Sequence, residues 1–443
     1  MNEEKTNGKV RRHSHCGFVV AMLLCMATIS LSSACSSDDD IPDTRVASVE
    51  PDSNFAPSRT VLVYMVAENS LSYGIQSDVK EMLAGMRGSN LYPADRLVLY
   101  VDGTSLPAIY VIDKNTTATT LNEMTPVMVY DSELDSTSPE TLASVISYVK
   151  ANYAADSYGL VMWSHGSGWI PSDSVQENDA TTARRRSFGV DNGHNTTSDT
   201  GHQMEIETMA RALERCGGFD FVFFDACFMQ CVELAYELRN GAKHVIGSPA
   251  EIPGPGAYYT TMVPAMFELE CYADSMIAAY YDYYTSVSLS YGIVVSAIHT
   301  EALPAFASRM KTIVNEHSDE MKAACTTGLG MLNYFKYGSR TSGGWGLTKP
   351  DYYDIKSVLH ETLDGSNDED IYALLDRVVT CRHADTWYSA FNNQMNPIEE
   401  SQCSGMTMFV PQSKYNNSSY PYNEYFLATQ WAKDVWTESN NDE

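Results

Sequence analysis

The chain has 443 residues, with 57 Asp and Glu against 29 Lys and Arg, and a formal charge of −28. A surface this acidic repels nucleic acid and anionic headgroups, which excludes nucleic-acid binding and favours basic substrates. The length suits one large α/β domain, or a core with an extension.

Residues 1–34 read as a targeting segment rather than fold. Lys9, Arg11 and Arg12 form a positive start, and Gly17 to Ile29 is an apolar run too short to span a bilayer. It ends in Leu31-Ser32-Ser33-Ala34-Cys35. Small residues before a cysteine resemble a bacterial lipobox, which makes Cys35 the lipidated mature N-terminus. The alternative is an ordinary secretory signal with an incidental cysteine. The run Ser36-Ser37-Asp38-Asp39-Asp40 resembles the export tag of surface lipoproteins in Bacteroidetes-type bacteria, and reads equally as a solvated acidic tether. The expected location is the outer membrane or cell surface of a bacterium, with membrane contact through the lipid alone. Losing residues 1–34 removes Lys5, Lys9, Arg11 and Arg12 with Glu3 and Glu4, which takes the charge from −28 to −30. Pro42, Pro51 and Pro57 among polar neighbours make 35–57 a tether and linker.

From residue 58 apolar runs alternate with helical periodicity. Thr60–Val66, Arg96–Val101, Tyr158–Trp163, Phe219–Phe224 and His244–Ser248 read as strands. Leu71–Met86, Leu142–Val149, Met204–Leu213 and Val232–Leu238 carry apolar residues at helical spacing between them. This is the pattern of βαβ units, a mostly parallel sheet covered on both faces. Residues 58–300 form the expected core, and 301–443 an extension that packs on the sheet or widens it. In the second half Tyr291–Ala297 and Gly405–Val410 read as strands, and Phe306–Val314 and Ile355–Leu363 as helices. Cys216, Cys227, Cys231, Cys271, Cys325, Cys381 and Cys403 lie beyond the tether. An odd number without tight spacing is no disulfide framework, and leaves one thiol unpaired in a monomer.

Two of the strands end in reactive groups. Tyr158–Trp163 runs into Ser164-His165-Gly166, and Phe219–Phe224 into Asp225-Ala226-Cys227. Ligands of open α/β sheets bind beyond the carboxyl ends of the strands. A histidine and a cysteine at one edge are what a thiol nucleophile and its proton-transfer partner require. The helix expected after Cys227 places the thiol in a first turn, where the dipole favours thiolate. Gly166 lets backbone approach a substrate carbonyl, and the N–H groups of Gly166 and Cys227 are candidate oxyanion donors. A zinc site of Cys227, Cys231 and His165 lacks a fourth ligand.

Longer blocks resemble the clostripain family of cysteine peptidases, relatives of caspases, legumains and gingipains. They are Tyr64–Leu71, Trp163–Trp169, Phe224–Met229 with Val232–Tyr236, and Ser248–Tyr258. Weaker similarity near Tyr353-Asp354 and Gly405–Val410 extends the match to about 58–436. The resemblance implies a caspase-like three-layer α/β sandwich and a His165–Cys227 dyad. It also implies cleavage after Arg or Lys, with Asp225 at the floor of the specificity pocket. Asp225 as a cap of the following helix is the structural alternative. Activation in the family by cleavage between the two blocks points to Arg184, Arg185 and Arg186, within the polar stretch 170–203. The expected state is a monomer, of two chains after processing. The resemblance implies no required cofactor. Some family members need calcium, and without a twelve-residue EF-hand loop here calcium stays open. Two other functions stand beside the endopeptidase: a non-catalytic surface binding lipoprotein, and a thiol amidase or acyltransferase using the same dyad.

Overall fold

Strands built around continuous apolar runs need cover on both faces, and the fold supplies it with two helical layers. The computed structural model describes residues 58–170, 188–194, 196, 199, 201–287, 291–335, 351–363, 368–390, 393–416 and 421–436, within one compact unit, Phe55–Glu443. The expected signal segment, tether, Cys35 and Arg184–Arg186 lie outside the described residues.

The strands in chain order are β1 (Arg59–Val66), β2 (Arg96–Asp102), β3 (Ala108–Ile112), β4 (Met128–Val129), β5 (Ser157–Trp163), β6 (Phe188–Asp191), β7 (His202–Met204), β8 (Phe219–Asp225), β9 (Ala242–Gly247), β10 (Val294–His299), β11 (Tyr353–Asp354), β12 (Val379–His383), β13 (Thr386–Ser389), β14 (Gln394–Pro397) and β15 (Thr407–Met408). The helices are α1 (Ile75–Gly88), α2 (Pro139–Asn152), α3 (Ile206–Arg215), α4 (Val232–Leu238), α5 (Tyr259–Met266), α6 (Tyr272–Val287), α7 (Leu303–Thr327), α8 (Ile355–Thr362), α9 (Glu369–Val378), α10 (Tyr422–Leu427) and α11 (Gln430–Val435).

Nine strands form one sheet in the order β12-β10-β9-β8-β5-β1-β2-β3-β4. The central five, from β9 to β2, run parallel; β3 and β4 on one side and β10 and β12 on the other join through antiparallel pairings. Alternate residues divide the core. Leu62, Tyr64 and Val66 face a layer that includes α2, α3, α4 and α7, whereas Val61, Val63 and Met65 face α1, α5 and α6. The architecture is therefore the expected three-layer sandwich on a mostly parallel sheet.

The C-terminal part enters the same sheet through β12, a polar edge strand paired with β10. Gly405–Val410, expected as a strand, pairs over only two residues with β11 and stands apart from the main sheet. Its backbone bonds go elsewhere: Thr407 N–H donates to Gln230 O at 2.9 Å and Phe409 N–H to Glu233 Oε1 at 2.7 Å. These bonds fasten the segment to the entry of α4. Among the described residues of the polar stretch 170–203, β6 pairs antiparallel with β7, which runs on to Met204.

Candidate active site

Parallel register sets the site. Trp163 of β5 pairs with Asp225 of β8. His165 and Cys227 each follow two residues later, so they leave neighbouring strands at the same level of the carboxyl edge. Neighbouring strands lie about 4.8 Å apart, which brings the two side chains to one crevice. Gly166 tightens the approach, since a β-carbon there would stand 2.7 Å from the Cys227 carbonyl oxygen and 3.0 Å from the Ala226 β-carbon. The bridge between Gly166 and Phe188 runs through Gly189 N–H to His165 O at 3.0 Å, which does not use the Gly166 N–H.

A cavity of about 160 Å³ opens at this point, lined by His165, Cys227, Asp225, Asp78, Trp163 and the loop Ile252–Gly256. The thiol Sγ accepts from Ile252 N–H at 3.4 Å. Cys227 does not sit in the first turn of a helix as expected. The helix α4 begins at Val232 with Cys231 as its N-cap, and residues 226–231 form a turn before it. Phe228 holds a left-handed backbone in this turn, with φ 62°. For a bulky residue that conformation costs about 1–3 kcal/mol, and such strain gathers at functional sites. The described contact to the sulfur is thus the Ile252 amide, and no helix N-terminus lies at Cys227.

Asp225 lies on the cavity floor, buried. Its carboxylate accepts from Ala257 N–H at 3.1 Å and from the Tyr259 hydroxyl at 2.8 Å. It is not a cap for α4. Gly256, at φ 68°, closes over it, and a β-carbon there would meet Asp225 Oδ2 at 2.8 Å. Burial raises Asp225 to about 6. Asp78 on α1 is a second acid of the same cavity and was not foreseen. The Trp163 indole N–H donates to its Oδ2 at 2.8 Å, and burial followed by the nearby Asp225 charge raises it to about 7. Two buried carboxyls in one small cavity offer a negative floor for a cationic side chain.

His165 is held from the far side. Its Nε2 stands 3.1 Å from Ser70 Oγ and 3.3 Å from Asp199 Oδ1. Ser70 is itself tied to Asp199, donating from N–H at 3.0 Å and from Oγ at 2.9 Å. The hydrogen bond from His165 holds the Asp199 carboxyl down at about 2. With Nε2 engaged there, Nδ1 is the nitrogen left to serve the crevice. Ser70 fell inside an expected block without a role, and nothing in the sequence singled out Asp199.

Another thiol–imidazole group exists in the C-terminal part. Hydrogen bonding to Cys381 and then His383 lowers Cys403 to about 5, and Cys403 in turn raises His383 to about 9. Cys403 is buried and packs on Tyr334, whose hydroxyl lies 3.4 Å from the sulfur. It lines no part of the cavity at the sheet edge. Cys231, the third member of the zinc arrangement, is fully buried in the core.

A mostly parallel sheet between two helical layers, with a thiol and an imidazole leaving adjacent central strands, defines the caspase-like class of cysteine peptidases. The profile of the clostripain family matches residues 63–439, and the chain belongs to that family. It is 26% identical over 247 residues to clostripain of Hathewaya histolytica, a match that covers 51% of this chain and 45% of that protein. The chain thus spans about half the length of the curated relative it matches. A secreted C11 cysteine protease from Bacteroides thetaiotaomicron, solved in complex with an irreversible peptide inhibitor, superposes with a TM-score of 0.69 at 28% identity, covering 85% of this chain and 98% of that one. An inactive zymogen C11 protease from Parabacteroides distasonis gives 0.67 at 27% identity, covering 86% and 98%.

Proposed function

We propose that this protein is a secreted, lipid-anchored cysteine endopeptidase that cleaves after Arg or Lys. The observation that carries the reading is the cavity in which His165 and Cys227 meet above two buried acids, Asp225 and Asp78. A basic side chain enters toward the two carboxylates, which sets the following carbonyl over the Cys227 sulfur. The thiolate attacks that carbon, and the N–H groups of Gly166 and Cys227 receive the oxyanion. His165 passes a proton to the leaving amine, and water, activated by the same imidazole, then releases the acyl group. Ser70 and Asp199 orient the ring. The enzyme is made as a single chain and is activated by its own cut after Arg184, Arg185 or Arg186. The lipid on Cys35 holds it at the bacterial surface, and its partners are proteins and peptides with basic residues.

Fluorogenic peptides ending in Arg, Lys, Asp or Asn before the reporter test the reading. Release from Arg or Lys peptides that vanishes in Cys227→Ala supports it. Silence on all four peptides moves the function to a binding lipoprotein, and release of non-peptide amides alone moves it to an amidase.

A further inference from the structure

Two thiols meet at the outer edge strand of the sheet, and peptide cleavage uses neither. Cys381 and His383 are two apart on β12, so both side chains leave the same face of the strand. Cys403 reaches that face from the short helix Glu400–Gln402. The residues after it are pinned in place. The N–H groups of Ser404 and Gly405 donate to the buried Asp354 Oδ2, each at 2.9 Å. Cys381 pairs with Ser296 in the β10–β12 ladder, and Ser296 Oγ donates to Gly405 O at 2.6 Å. Gly405, at φ 80°, packs so closely that a β-carbon there would stand 2.5 Å from Cys381 Sγ and 3.0 Å from the Cys381 β-carbon. The two sulfurs share a hydrogen bond that keeps the proton on Cys381. His383 Nδ1 lies 2.9 Å from Ala384 O, and Nε2 lies 2.9 Å from Glu400 Oε2. A ring with an oxygen acceptor at each nitrogen is an imidazolium, and it hydrogen-bonds Cys403 as a cation. Cys403 lies just under the surface, 7% exposed, and the Glu400 side chain over His383 is 88% exposed. Both cysteines are free thiols in this structure.

We propose that Cys381 and Cys403 are a reversible disulfide-exchange site, a second redox-active centre separate from the Cys227 thiol. The co-reactant is a small disulfide of the glutathione class. The Cys403 thiolate attacks one sulfur of that disulfide, whose S–S bond breaks and releases one thiolate. The Cys381 sulfur then attacks Cys403 in the mixed disulfide, and the second thiolate leaves with the Cys381 proton. Two electrons pass from the protein thiols to the reagent, which ends as two thiols. The imidazolium and the Cys381 thiol stabilise the reduced form, so the bond is readily reduced rather than a permanent staple. Once formed, it joins β12 to the segment that reaches the turn after Cys227, where Thr407 N–H donates to Gln230 O at 2.9 Å. It closes the loop 381–403 and so strengthens the attachment of the C-terminal part to the sheet. Neither the site nor its chemistry rests on the peptidase reading.

Full-length Cys227→Ala protein, which lacks the dyad thiol, is equilibrated near neutral pH in glutathione buffers that run from reduced to oxidised. Samples are quenched with acid, alkylated and mapped by mass spectrometry, and melting curves are recorded on the same samples. The expected result is one cross-linked peptide, Cys381 to Cys403, that disappears on return to the reduced buffer. The oxidised form melts about 2–5 °C above the reduced form. Cys381→Ser leaves Cys403 as a mixed disulfide with glutathione and removes the shift in melting. His383→Gln slows the oxidation near pH 6 by about 10-fold or more, and the difference closes at a pH above the ordinary thiol range, as loss of a thiolate-stabilising cation requires. Absence of the cross-linked peptide from the folded protein overturns the proposal, as does glutathione carried separately on each of the two cysteines. So does a cross-link that survives excess reduced glutathione, which makes the bond a fixed staple. Equal oxidation rates in His383→Gln and its parent near pH 6 also overturn it. A protein that cleaves no peptide leaves all of these readouts in place, so the failure of the peptidase reading is told apart.

Discussion

Gly166 rests against the Cys227 carbonyl oxygen, at a distance where a β-carbon would stand 2.7 Å away. The neighbour is backbone, so no side-chain rotation relieves the contact. Gly166→Ala is expected to push the two strand ends apart and lower kcat/KM on Arg peptides by about 100-fold, the cost of a displacement near 1 Å. Gly88→Ala is the control, because a β-carbon there meets nothing within 4 Å. Steady-state kinetics of the two variants, beside their melting curves, decide the point. Equal activity in both removes Gly166 from the geometry of the site.

The contacts of His165 with Ser70 and Asp199 have a testable consequence for turnover. Both partners touch Nε2 and neither reaches the thiol in the described contacts, so they position the ring. Ser70→Ala and Asp199→Asn are each expected to lower kcat by about 10- to 100-fold with little change in KM, because the ring is misoriented while the acidic cavity floor is intact. Asp199 is about two-fifths exposed, so the stability cost stays within about 1 kcal/mol. Its depressed carboxyl contributes that stability above the ordinary Asp range and loses it only as pH falls through about 2. A rise in KM with unchanged kcat refutes the positioning role.

The two lines of side chains that build this site differ in how far the sequence exposes them. The central strands were legible because a strand buried on both faces is a continuous apolar run, as in Leu62–Val66 and Phe221–Phe224. Their shared carboxyl edge followed from βαβ alternation, and with it the nearness of His165 and Cys227. β12 was not legible, since Val-Thr-Cys-Arg-His is an edge strand with polar residues on its open side. Helices α5 and α6 were missed for a related reason: α6 carries Tyr280, Tyr281, Tyr283 and Tyr284, whose aromatic run blurs the helical period. Asp78 comes from α1, and Asp199 from a bend far along the chain. Only tertiary closure brings them together, and no spacing in the chain records it. The left-handed Phe228 has no sequence signal at all.

Self-activation gives a prediction readable on a gel. Wild-type protein is expected to mature into two chains, with mass spectrometry placing the new end after Arg184, Arg185 or Arg186. Cys227→Ala stays a single chain, and added wild-type enzyme cuts it. Replacing all three arginines by alanine is expected to block maturation, with melting curves of the variant and of the Cys227→Ala precursor checking that the fold is kept. A Cys227→Ala protein that matures on its own shows that another protease makes the cut.

The buried acids Asp225 and Asp78 connect specificity to stability through pH. Both are raised in the folded protein, to about 6 and about 7. The fold therefore keeps protons that the unfolded chain has already lost, and stability falls as pH climbs from the ordinary Asp range through 6 and 7. At neutral pH the ionised floor is a cost, and Asp225→Asn relieves about 1–3 kcal/mol of it, less the bond that Tyr259 donates. A cationic substrate needs the opposite state. Cleavage of Arg peptides is expected to rise with pH through 6 to 7, and Asp78→Asn removes the upper part of that rise. Asp225→Asn lowers kcat/KM on Arg peptides by about 100-fold or more, because a guanidinium then enters a buried cavity without its main counter-charge. The variant thus melts at or above the wild-type temperature at pH 7 yet cleaves poorly. An Asp225→Asn enzyme that is destabilised at pH 7 and still prefers Arg assigns the carboxylate to holding the loop Ile252–Gly256 rather than to reading the substrate.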